Sequence, residues 1–100
     1  MKVKSYLRFA PHEELTLVSG RYQNGRLAIK ATNSDGEPIA TLTVNMPEIE
    51  LTEGQVIIKD WSENEGAMVT LRRAGLIDAG VPIPAGFCTA YVCKWLGGEL

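Results

Sequence analysis

Histidine occurs once, at His12, and cysteine only twice, at Cys88 and Cys93. A lone imidazole in a Pro-His-Glu-Glu turn gives no partner to a Ser/His or Cys/His nucleophile pair, and one His with two Cys cannot supply four converging soft ligands. Two cysteines outside a CxxC spacing are also too few for a secreted disulfide scaffold or a thioredoxin-like motif. If Cys88 and Cys93 lie on one strand, their sulfurs fall on opposite faces about 16 Å apart along the chain, beyond disulfide reach. Both are therefore expected as free, mostly buried thiols.

The chain lacks a signal-peptide pattern, a basic amphipathic tail and any apolar run of about 20 residues, which predicts a cytoplasmic protein with no membrane span or lipid anchor. It lacks an excess of positive charge: 10 Lys and Arg against 12 Asp and Glu give −2. Direct nucleic-acid binding through bulk positive charge is therefore not expected. No glycine-rich phosphate loop is present, since Gly97-Gly98 is followed by no helix, and no cofactor is expected.

What is there suits one domain spanning residues 1–100, with 45% apolar residues, 22% charged residues and 10 glycines. Val3 to Phe9 reads as a strand broken by Pro11 and the charges after it. Leu15 to Tyr22 and Arg26 to Thr32 flank Gln23-Asn24-Gly25, and Asn-Gly between apolar runs is a strong hairpin signal. Asn33 to Pro38 supplies a second turn, and Ile39 to Val44 alternates Leu42 and Val44 against Thr41 and Thr43, completing a meander. Gln55 to Lys59 is a further strand.

Ser62-Glu-Asn-Glu65 fits a capping box, predicting a helix over about 63–74 with Ser62 as its N-cap, Ala67, Met68, Leu71 and Ala74 on one face, and Gly75 stopping it. The prolines and glycines of Ala79 to Gly86 predict an extended connector that aims a last strand. There Phe87, Tyr91, Cys93 and Trp95 share one face and Cys88, Ala90 and Val92 the other. Apolar groups on both faces predict a central strand. The expected fold is α+β: a mainly antiparallel curved sheet of five or six strands with one helix (63–74) packed on it. The sheet's second face needs cover, and a sheet curled on itself as a monomer is favoured over a homodimer.

Charge is unevenly placed along the chain. Lys2, Lys4, Arg8, Arg21, Arg26 and Lys30 against Glu13 and Glu14 leave residues 1–34 at +4, whereas residues 35–65 stand at −7. The carboxylates Glu48, Glu50, Glu53, Asp60 and Glu63 form a candidate partner-binding surface for a basic protein patch. As an acid–base pair any two of them would need an enclosing pocket to separate their pKa values, which no motif predicts, so no enzyme activity is expected. Arg21, Arg26 and Lys30, beside the aromatic face of Tyr91 and Trp95, form a candidate ligand-binding set for an anionic small molecule or nucleotide.

Residues 22–29 (YQNGRLAI), 36–47 (GEPIATLTVNMP) and 86–89 (GFCT), with 58–66 (IKDWSENEG) and 75–77 (GLI), resemble a family of small uncharacterised proteins of phages and integrative elements of gut Firmicutes and Bacteroidetes. The resemblance covers most of residues 20–95 and rests largely on turn and core residues. It implies a noncatalytic accessory protein of a mobile element that binds a host protein, counter-defence of the anti-CRISPR kind included. It assigns no role to any residue.

Overall fold

The computed structural model describes all residues, 1–100. It is an α+β protein of seven strands in two antiparallel sheets with one α-helix. In chain order the strands are β1 (Lys2–Lys4), β2 (Glu14–Arg21), β3 (Leu27–Thr32), β4 (Pro38–Thr41), β5 (Gln55–Lys59), β6 (Val81–Ala85) and β7 (Cys88–Lys94), and the helix is α1 (Ala67–Arg73). The first four form a meander, β1-β2-β3-β4, and the last three a sheet ordered β5-β7-β6. The expected single sheet of five or six strands is thus replaced by two sheets.

The Asn-Gly hairpin forms as its residues dictate. Gly25 takes φ 85°, the Tyr22 and Gly25 amides donate to Arg26 and Tyr22 carbonyls at 2.9 Å, and Asn24 Oδ1 accepts the Arg26 amide at 3.2 Å. Leu15, Leu17, Ile29 and Ala31 point into the core from β2 and β3, with Thr16, Val18 and Lys30 on the other face, as period-2 alternation requires.

The two sheets are joined where the chain leaves β4. Leu42 donates its amide to Ile29 of β3 at 2.8 Å while its carbonyl accepts from Lys59 of β5 at 3.0 Å. Thr43 then bridges Ile58, and the Val44 amide donates to Ile57 at 3.0 Å. At this corner the buried Thr43 hydroxyl accepts the Ile29 amide at 3.2 Å, replacing a ladder carbonyl, and lies 2.9 Å from the Tyr22 hydroxyl. One apolar cluster draws on both sheets and on α1, through Leu15, Leu17, Ile29, Leu42, Val56, Ile58, Leu71 and Cys93.

β7 is central in its sheet and buried on both faces, at Ala90 and Cys93, as its two-sided apolar pattern predicts. Both thiols are free, Cys88 half-buried and Cys93 fully buried. Phe87 stands outside β7, fully exposed at the β6–β7 turn, because Gly86 at φ 64° opens that turn one residue later than the strand pattern implied.

Residues 81–85, expected as a connector, pair with β7 as an edge strand. Pro82 and Pro84 share one parity. Their missing donors therefore fall on the outward side, the one place a strand tolerates proline.

The helix also differs from expectation, beginning at Ala67 after a separate 3-10 turn at Ser62–Asn64. Ser62 is not its N-cap. It sits at φ 54°, outside the extended region an N-cap needs, and Gly66 at φ 101° redirects the chain before α1 starts. The cap is supplied by Asp60, whose Oδ1 accepts the Gly66 amide at 2.7 Å and the Ala67 amide at 3.0 Å. A Cβ on Gly66 would overlap the Tyr6 carbonyl oxygen and lie 3.0 Å from Leu7 Cα, so glycine is required by contact as well as by φ. No helix is long and apolar enough to cross a membrane.

Candidate anion-binding cleft

The segment following β1 is laced to α1. Tyr6 donates its amide to Thr70 Oγ1 at 2.9 Å and Arg8 donates its amide to the Glu65 carbonyl at 2.8 Å, while the Thr70 hydroxyl donates to the Gly66 carbonyl at 2.8 Å. On the other side the Ser5 amide reaches Glu13 and the Met1 carbonyl accepts from Leu17, so odd-numbered backbone groups of β1 face β2. The backbone groups of Lys2 and Lys4 therefore face outward. Alternation places the Lys2, Lys4 and Tyr6 side chains on the face opposite the buried Val3, Ser5 and Leu7.

Between this edge and α1 lies an open cleft of about 520 Å³ lined by Lys2, Lys4, Tyr6, Thr70 and Arg73 together with apolar atoms of Met1, Val3 and Ala74. The Lys4 ammonium lies 5.5 Å and the Arg73 guanidinium 5.0 Å from the centroid of the same Tyr6 ring, within cation–π range. His12 meets that ring edge-on at 6.0 Å. Lys2 pairs with Glu14 at 3.6 Å across exposed surface, a contact worth at most about 1 kcal/mol. Lys4 and Arg73 take part in none of the ion pairs.

Of the ligand-binding set expected from the sequence, none of Arg21, Arg26 and Lys30 stands over the ring of Tyr91 or Trp95. Arg26 is committed to its own fold, its guanidinium donating to the Met46 carbonyl at 2.7 Å and also to the Ile49 carbonyl. Arg21 donates to the Gly25 carbonyl at 3.3 Å and lies 3.9 Å from Glu99. Lys30 is exposed on β3, Tyr91 packs against the core, and Trp95, also against the core, donates its indole N–H to the Gly98 carbonyl at 2.9 Å. The rings that carry cations are Tyr6, Phe9 and Trp61.

The acidic set is split in two. Glu48, Glu50 and Glu53 are exposed on the β4–β5 loop, and Asp60 and Glu63 follow the far end of β5, about 20 Å along the strand from Glu53. Burial raises the Asp60 pKa above the usual carboxylate value, partly opposed by the Gly66 and Ala67 amides that it caps. Glu63 receives a hydrogen bond from Lys59 at 2.6 Å, which lowers its pKa.

Acidic and basic segments meet at the hairpin tip. Arg21 and Arg26 line one side of a shallow groove of about 320 Å³ whose other side carries Glu53 and Gln55. Asn24 donates to Asn45 Oδ1 at 3.0 Å, and Gln55 Oε1 accepts the Thr52 amide at 2.9 Å, so the loop bearing the carboxylates is held at both ends.

Sequence reasoning missed Tyr6 and Arg73. The spacing of Lys2, Lys4 and Tyr6 at i, i+2 and i+4 is a legible signal of a shared face. Arg73 joins them only through the tertiary docking of α1. No group of three His, Cys, Asp or Glu side chains is placed to hold a metal ion. Comparison of the chain with family models, with curated proteins and with solved structures finds no match.

Proposed function

We propose that the protein is a noncatalytic binding protein whose ligand is anionic and sits in the cleft between β1 and α1. The observation that supports this reading is the convergence of Lys4 and Arg73 on one Tyr6 ring with no carboxylate paired to either. Both cations stand beside the same ring with no counter-charge, so an anion bound next to that ring is attracted by each of them. Thermal unfolding in phosphate, sulfate and citrate at constant ionic strength tests it, since a ligand of the native state raises stability by mass action. An anion-specific rise that disappears in Lys4→Glu/Arg73→Glu is the expected result. Equal midpoints in all salts would end the reading.

A second reading follows from the loop. Glu48, Glu50 and Glu53 are exposed, take part in no ion pair and are presented on a segment that Arg26 pins, an ordered acidic surface suited to a basic protein patch. On this reading the chain is an accessory protein of a phage or mobile element that binds a host protein, as the family resemblance implies. Capture from host lysate with wild type and with all three glutamates reversed to lysine discriminates it, and identical partner sets would remove it.

A further inference from the structure

Resting on the cleft reading, we infer that the ligand is a small phosphate monoester carrying an apolar or aromatic body, held by its dianionic head between Lys4 and Arg73. Three features of the cleft argue for this class. The first is charge. Lys4 and Arg73 have no ion-pair partner and Lys2 has only the exposed Glu14, so the uncompensated charge is at least two, which a dianion balances and a single carboxylate does not. A guanidinium and an ammonium together also supply more N–H donors than the two oxygens of a carboxylate can use well.

The second feature is room. About 520 Å³ lies within the range of small-ligand sites and far exceeds the roughly 30 Å³ share of one water, so a bare ion would leave most of the cleft to solvent. The third is the lining, in which Met1, Tyr6 and Ala74 provide apolar surface beside the cations. A head of concentrated negative charge joined to an apolar body meets both halves.

Competing explanations account for the cations one at a time. Lysines on a free strand edge discourage edge-to-edge association, which suits Lys2 and Lys4. Arginines in a last helical turn complement the helix dipole, which suits Arg72 and Arg73. Neither explains why Lys4 and Arg73, from different elements, stand over one ring. A nucleic-acid backbone is the less favoured polyanion, because Glu13 and Glu14 flank Lys2 along the surface a strand would follow and would repel its next phosphates.

The test is a titration of the ¹⁵N-labelled full chain at pH 8 and constant ionic strength with phenyl phosphate, benzoate and inorganic phosphate. At that pH the monoester is dianionic, and benzoate presents the same ring with one charge. Phenyl phosphate is expected to shift amides of residues 2–6 and 70–74, to bind about tenfold more tightly than either other probe, and to weaken by about tenfold in Arg73→Ala and in Lys4→Ala. Both substitutions fall on exposed side chains, and Lys30→Ala is the charge-matched control that leaves binding unchanged. Equal affinity for benzoate and phenyl phosphate would overturn the phosphate assignment while leaving an anion cleft in place. No shift with any probe would overturn the cleft reading and this inference together. Tighter binding of single-stranded oligonucleotides with each added nucleotide would replace the small ligand with a nucleic acid.

Discussion

The Asp60 carboxylate stands 2.7 Å from the Gly66 amide and caps a helix that begins seven residues after it. A side chain at the end of β5 thus fixes where α1 starts, and with it where Arg73 meets Tyr6. Local sequence signals place the cap at Ser62, yet the amides that need an acceptor are oriented by Gly66.

Replacement of Asp60 by alanine is expected to cost on the order of 1 kcal/mol, as loss of an N-cap acceptor does, whereas Ser62→Ala changes stability little. Urea unfolding of both variants checks the order. The pH dependence has an unusual sign for an aspartate. Burial raises the folded-state pKa above 3.8, so the native state binds the proton more readily than the unfolded chain does. Asp60 therefore contributes relative stability below its unfolded pKa that is lost as pH rises through the folded value. The difference in unfolding free energy between wild type and Asp60→Asn isolates this contribution, and should move in favour of wild type on acidification.

Thr43→Val keeps the shape of the corner between the sheets and deletes its hydroxyl. The Ile29 amide loses its acceptor in a buried position and the Tyr22 hydroxyl loses its partner. A loss of about 1–3 kcal/mol is expected by chemical denaturation, the range for a buried donor left unsatisfied.

Gly66→Ala combines a left-handed backbone with an overlap on the Tyr6 carbonyl. Each alone costs roughly 1–3 kcal/mol, so the variant should be the least stable of the set and should loosen the cleft through the Tyr6–Thr70 bond. Amide exchange at Tyr6, faster than in wild type by more than the global loss of stability explains, is the expected signature.

The two thiols should separate by reactivity. Burial, aided by the Asp78 charge and opposed by Arg72, pushes Cys93 up to about 12, and its sulfur lies 3.7 Å from Met68 Sδ. At pH 8 a thiol reagent is expected to label the half-buried Cys88 in the native protein and both cysteines only after unfolding. Rapid native labelling of Cys93 would contradict its placement in the core.

The β2–β3 hairpin and the two-faced burial of β7 were legible because each rests on neighbours in sequence, Asn-Gly chemistry in one and apolar groups at odd and even positions in the other. The Thr alternation of 39–44 failed: β4 ends at Thr41, and Thr43 is buried beside Leu42 at the corner between the sheets. The Ser62 cap also misled, since a capping box is a local pattern and Gly66 overrides it through contact with Tyr6 across the fold. The strand at 81–85 was hidden by its prolines, which exclude a central strand but not an edge. The binding cleft was half legible. Lys2, Lys4 and Tyr6 declare a common face, but Arg73 reaches them through packing, and Arg26, conspicuous beside the hairpin turn, spends its donors on the Met46 and Ile49 carbonyls.

The outer strands of the joined sheets differ in kind. Along β6 the outward donors are deleted by Pro82 and Pro84, while along β1 the outward groups of Lys2 and Lys4 remain intact. A neighbouring strand can form a full ladder on one side only, and on the other it would find acceptors with no matching donors. Growth by addition of molecules edge to edge needs two sides that can pair, and the prolines of β6 close one of them. Two copies meeting through β1 would use up the free edge of both and stop as a closed pair, so association by that route ends at two and cannot propagate into a fibre.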